Sequence, residues 1–246
     1  MPCKKVVLII VEGPTDDDAL GVIFTKYFDD NTVRVKIVHG DITTKSRVCS
    51  SNILAQITDL VKQALNEYKL NKKDLLRIIH LTDTDGAFAP DDTVVNDATK
   101  KKAFYSNDSI LTCDPESIKS RNRQKSENIR KLFSTKYIWK DIPYQLYFMS
   151  CNLDHVLYNK LNLTDEEKEN EALAFAKQYK NDLAGFVSFI SNPELAVQGD
   201  YLETWTYIMM ETNSLHRHTN IWLCFTSHNM ESPEVQEQLV VLEPDL

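Results

Sequence analysis

Two short apolar runs that end in acid constrain this chain more than any other feature. Val6–Val11 is six aliphatic residues long and runs directly into Glu12-Gly-Pro-Thr-Asp16. Leu75–Thr82 is likewise strand-length and closes on Asp83-Thr-Asp85-Gly86. Apolar runs of this size, bounded by turn residues, read as strands buried on both faces. Such a strand has no reason to finish in carboxylates unless something compensates their charge. Side by side, the two ends would gather three or four carboxylates that repel one another without a cation. A hard divalent ion prefers oxygen ligands and is the economical compensation.

The order of elements supports a parallel sheet. Thr15 is a natural N-cap with Asp18 three residues on, and Asp16–Phe28 reads as a helix with Leu20, Phe24 and Tyr27 toward the sheet. Asp17 and Asp18 read as an acidic first helical turn. Thr32–His39 is valine-rich and alternates with Arg34 and Lys36, as a strand does. Ser51–Leu70 keeps a 3.6-residue spacing through Ile53, Ile57, Leu60, Val61, Ala64, Leu65 and Tyr68, as a helix does. The β-α-β-α-β order implies right-handed crossovers in an α/β fold. Open parallel sheets carry their sites at the carboxyl ends of strands, where Glu12, Asp83 and Asp85 fall.

Beyond Gly86 the pattern changes. Residues 87–116 read as a polar, irregular insertion. Ser117–Tyr137 reads as a basic helix, Tyr144–Met149 as a fourth strand and Leu153–Leu161 as the start of another helix. Thr164–Ile190 reads as one helix, with Leu173, Phe175, Ala176, Tyr179, Leu183 and Phe186 as its apolar surface. Asp200–Thr212 and Thr219–Phe225 carry weaker signals. The expected organisation is a catalytic unit over residues 1–160, with a basic insertion at about 87–140, and a mainly helical region over 161–246.

The charge is unevenly spread. Between Lys119 and Lys140 eight cations face one anion, Glu127, leaving that segment at +7; the rest of a chain of net charge −8 therefore carries −15. Lys119, Arg121, Arg123, Lys125, Arg130 and Lys131 are candidate phosphate contacts, with Tyr137 and Trp139 placed to stack on bases. The alternative is a solvated face that balances the acidic body. The five cysteines show no C-x-x-C spacing and read as reduced thiols of a cytoplasmic protein. Lys4-Lys5 before Val6–Val11 is too short a feature for a signal peptide and ends in acids. No run has the length of a membrane span. His216-Arg-His218 reads as a polar loop, and His155 as a residue at a helix start.

The Glu12-Gly-Pro-Thr-Asp16 turn together with Asp83-Thr-Asp85-Gly86 resembles the Toprim domain family, across roughly Val6 to His155. That resemblance implies an open, mostly parallel sheet flanked by helices. It implies Glu12 as a metal ligand or general acid/base and Asp83 and Asp85 as metal ligands. Asp16 matches the second acid of the first motif, which binds metal in the overcoming-lysogenization-defect type of nuclease. An acid after the fourth strand is common in the nuclease members, and Asp154 supplies one. Zinc-ribbon cysteines, a breakage domain and a P-loop are all lacking, which leaves a stand-alone Toprim-like chain. The resemblance implies a Mg²⁺- or Mn²⁺-dependent nuclease acting on DNA or RNA, in defence or repair, beside a separate ATPase subunit or as a homo-oligomer. A non-catalytic module that grips nucleic acid or protein is the competing expectation. An aspartate-nucleophile phosphotransferase would carry its D-x-D after the first strand, where this chain has Glu12.

Overall fold

The computed structural model describes residues 5–29 and 33–225. Its centre is a five-stranded sheet in the order β2-β1-β3-β8-β7. The strands are β1 (Lys5–Val11), β2 (Val33–His39), β3 (Leu75–Asp83), β7 (Tyr137–Ile138) and β8 (Ile142–Met149). The first four in that order are parallel, and only the two-residue β7 runs antiparallel, against the start of β8. This is an α/β fold with a mostly parallel sheet flanked by helices.

Alternation along β1 explains the layering. Val7, Ile9 and Val11 face one apolar core, with α1 (Pro14–Phe28), α5 (Asp165–Tyr179) and α6 (Leu183–Ile190). Val6, Leu8 and Ile10 face the other, with α2 (Ile53–Glu67), α3 (Pro115–Phe133) and α7 (Tyr201–Ile208). Both faces are covered, so an uninterrupted apolar strand is what the position demands. The region after residue 160 is part of both cores. Phe225 stacks on Phe24 and Phe28 at 5.8 and 5.7 Å, and Trp205 packs on Phe133 and Phe148 at 5.3 and 5.0 Å.

Several expectations need correction. The N-cap of α1 is Gly13, not Thr15; Pro14 takes the first helical position and Asp16 closes the cap by accepting from Gly13 N at 2.9 Å. The stretch 164–190 is two helices, because Asp182 accepts from Gly185 N at 2.8 Å and starts a new one. The break turns Phe186 and Ile190 into the core that Phe175 and Tyr179 also line. Leu173 is 60 % exposed, and Ala172 takes the buried place beside it. The insertion is not irregular throughout: β4 (Val94–Asn96), β5 (Phe104–Tyr105) and β6 (Ile110–Thr112) form a small sheet in the order β4-β6-β5. The fourth major helix, α4 (Leu153–Tyr158), starts directly behind the carboxyl end of β8.

Candidate functional site

β1 and β3 are neighbours in register, with Ile10 opposite His80. Two residues further on, Glu12 therefore meets the end of β3. Its Oε1 accepts from Thr82 Oγ1 at 2.8 Å and from Asp83 N at 2.9 Å. Asp83 Oδ1 accepts from Leu153 N, in the first turn of α4, at 2.9 Å. Among the described residues the second oxygens, Glu12 Oε2 and Asp83 Oδ2, accept no hydrogen bond.

The turn after β3 is tightly held. Thr84 N donates to Met149 O at 3.0 Å and Asp85 N to Cys151 O at 2.7 Å, which prolongs the β3–β8 pairing beyond the strands. Thr84 Oγ1 donates to Ser214 O and accepts from Cys151 N, each at 2.8 Å. Asp85 and Gly86 are both left-handed, at φ 48 and 66°. Asp tolerates that conformation. At Gly86 a Cβ would stand 2.5 Å from Leu215 Cδ2, so this turn needs glycine for space as well as for its backbone.

Helix α3 closes the site from the second face. Lys125 is completely buried, and its Nζ lies 3.4 Å from Glu12 Oε1 and in direct contact with Asp85 Oδ2. Arg121 donates to Asp85 O at 3.0 Å and to the Tyr105 hydroxyl at 2.8 Å. On the opposite flank Lys168 of α5 pairs with Asp154 at 3.0 Å.

The charges feel one another. Burial pushes Glu12 up to about 7; Lys125 opposes the rise, while Asp85, Asp41 and Asp16 add to it. Burial likewise raises Asp16 to about 6, and Asp154 adds to that. Asp83 is raised well above the ordinary carboxylate range by burial, then by Glu12, Asp16 and Asp85. Asp85 goes the other way: despite burial, Lys125 and then Arg121 hold it below its ordinary value. The neighbourhood is thus short of positive charge on the Glu12–Asp83–Asp16 side and compensated on the Asp85 side.

The five acids singled out in the sequence share this neighbourhood but not one coordination shell. Among the described residues no three acidic, histidine or cysteine side chains already enclose a metal position. The donor set itself fits a hard divalent ion: half-buried carboxylate oxygens, with undonated oxygens on Glu12 and Asp83 among the described residues. Asp154 is occupied by Lys168 and Asp85 by Lys125.

The basic segment divides. Lys125 is buried and Arg121 largely engaged, so neither is the open phosphate contact expected of it. Arg123 pairs with Asp91 at 2.5 Å, and Lys119 with Glu116 at 3.0 Å. Arg130 lies over Phe88 at 5.2 Å, and Lys131 is exposed. Trp139 sits between Lys62 and Lys72, at 5.5 and 5.3 Å, beside the amino end of β8 and so at the opposite edge from the acids. Sequence reasoning missed Thr82, Asp41 and Lys168 as members of the neighbourhood. Asp41 follows β2 by two residues, so the rule of strand carboxyl ends points to it; Lys168 carries no local signal.

No family model, curated protein or solved structure matches the chain. Among the described residues, no helix is long and apolar enough to cross a membrane.

Proposed function

We propose that this chain is a Toprim-like, divalent-metal-dependent nuclease that hydrolyses phosphodiester bonds in DNA or RNA. The observation that carries the reading is the direct contact of the two motifs: Asp83 N donates to Glu12 Oε1 at 2.9 Å, at the carboxyl ends of adjacent parallel strands. A bound Mg²⁺ or Mn²⁺ supplies Lewis-acid polarisation of the phosphate and a more acidic water. Glu12 and Asp83 would hold the ion, with Asp16 beside them. In the metal-free chain burial raises Glu12 to about 7, so binding the ion near neutral pH would displace a proton from it. Arg130 and Lys131, exposed on α3, would meet the phosphate backbone, while Arg123 beside them pairs with Asp91. A role in defence or repair and a separate ATPase partner complete the proposal by resemblance, and the cysteine pattern adds a cytoplasmic setting.

The test is purified protein against supercoiled plasmid, single-stranded DNA and structured RNA, with Mg²⁺, Mn²⁺ or EDTA. Cleavage that requires metal and is lost in Glu12→Gln supports the reading. Cleavage persisting in EDTA or in that variant refutes it. One observation favours a non-catalytic binding module instead: Lys125 already closes Glu12 and Asp85 into a salt-bridged network. Tight nucleic-acid binding without cleavage under any metal would establish that second reading.

A further inference from the structure

We infer that Lys125 is a resident cation of the site, built in where a second metal ion would otherwise stand, so that the site takes a single divalent ion on the Glu12–Asp83 side. The inference rests on the metal-binding reading above and narrows it.

Lysine is almost never fully buried unless its charge is paired. Lys125 is 0 % exposed, and its ammonium has two partners, Glu12 Oε1 and Asp85 Oδ2. The side chain is not free to swing out. Asn122, Lys125, Ile129 and Leu132 repeat at three- and four-residue spacing and form the buried face of α3. The helix is pinned along this face. Arg121 holds Asp85 O, Gln124 Nε2 donates to Lys45 O and Val48 O at 2.9 Å each, and Asn128 Nδ2 donates to Thr43 O at 2.8 Å. Removing the ammonium from the site would mean lifting a nineteen-residue helix off the sheet.

Glu12, Asp16, Asp83 and Asp85 together carry −4 when ionised; Lys125 reduces this to −3, and one divalent cation brings it to −1. Geometry assigns the place. Asp85 is taken on one side by the ammonium, and through its main-chain carbonyl by Arg121. Among the described residues, Glu12 and Asp83 each keep an oxygen without a donor. A second ion on Asp85 would have to sit beside a fixed positive charge at the same carboxylate. Asp85 is therefore a positioning residue that anchors Lys125, not a metal ligand, and this separates the two aspartates of the Asp83-Thr84-Asp85 motif into different roles.

The test counts Mn²⁺ bound per full-length chain, by calorimetry and by the spin-resonance signal of the free ion, with folding checked by circular dichroism. Wild type binds one ion. Lys125→Met, which keeps the length and removes the charge, binds two. Asp85→Asn gives an arm that does not depend on how Lys125→Met folds: it keeps the single ion, weakened by no more than the roughly 10–100-fold of a supporting contact. Asp83→Asn weakens the ion beyond the roughly 10–100-fold range of such contacts. Two ions in wild type, or loss of the ion in Asp85→Asn, overturn the inference while the metal reading stands. No Mn²⁺ bound by wild type, Lys125→Met or Asp85→Asn overturns both.

Discussion

An acid held at the wrong pKa for its burial costs the fold stability, and Glu12→Gln measures that cost. Glu12 rises from 4.5 in the unfolded chain to about 7 in the folded one, chiefly by burial. The folded state therefore binds this proton more tightly than the unfolded state does. Stability contributed by the site is intact below about pH 4.5 and falls as pH rises, until the full penalty is reached above about 7. At 1.36 kcal/mol per pH unit the difference is about 3 kcal/mol at pH 8 and under about 1 kcal/mol at pH 5. Glutamine resembles the protonated acid in shape and charge. Its carbonyl oxygen can still accept from Thr82 Oγ1 and Asp83 N, and Lys125 keeps Asp85. In metal-free buffer at pH 8 the variant should thus be more stable than wild type by about 3 kcal/mol. For a chain of this size that corresponds to about 6–12 °C in melting temperature. At pH 5 the two proteins should nearly coincide. Adding Mg²⁺ should raise the melting temperature of wild type at pH 8 and leave Glu12→Gln almost unmoved. Thermal unfolding of both proteins at the two pH values, with EDTA and with Mg²⁺, decides the matter. A variant less stable than wild type at pH 8, or a difference independent of pH, would refute the argument.

Mn²⁺ affinity should weaken by about tenfold between pH 8 and pH 6, because Glu12 must release a proton to bind; calorimetry in buffers of different ionisation enthalpy would show the released proton directly. Replacing Lys119, Arg123 and Lys131 with alanine should make the log–log salt slope of nucleic-acid binding shallower by about two to three units, at roughly 0.7–0.9 per phosphate. The same variant should unfold within about 0.5 kcal/mol of wild type, and an unchanged slope would mean that α3 only balances the acidic body. A chain cut after residue 160 should not fold. It loses Phe175, Phe186, Trp205 and Phe225 from the two cores, at about 1.5–3 kcal/mol each, which together rivals the whole stability of a domain. A cooperative melting transition in that fragment would disprove this.

What is legible in the amino-acid order is whatever follows from local pattern. β1 and β3 stand out because aliphatic runs end in acid, and their pairing puts Glu12 against Asp83 as expected. Helix starts are less legible, since Thr15 competes with Gly13 as a cap and only the backbone geometry chooses. The partners of the acids are largely illegible. Lys125 looks like one more cation in a basic helix, and only the helical phase that aligns it with Asn122 and Ile129 hints at burial. Lys168 stands 14 residues after Asp154, across the loop that joins α4 to α5, and no local pattern marks it as that acid's partner.

The hydrogen bond from Thr84 Oγ1 to Ser214 O has a consequence for the chain during its own synthesis. Thr84 lies between the two motif aspartates, yet its partner is made about 130 residues later. At roughly 5–20 residues per second, the ribosome needs on the order of ten seconds to cover that distance. His218, whose carbonyl oxygen accepts from Ser150 N, arrives later still. Throughout that interval the acids exist, but the clasp that shapes their turn does not. The acidic centre is thus finished only after residues 214–218 have been made. A nascent chain that stalls or breaks early carries every motif residue and still lacks a completed site.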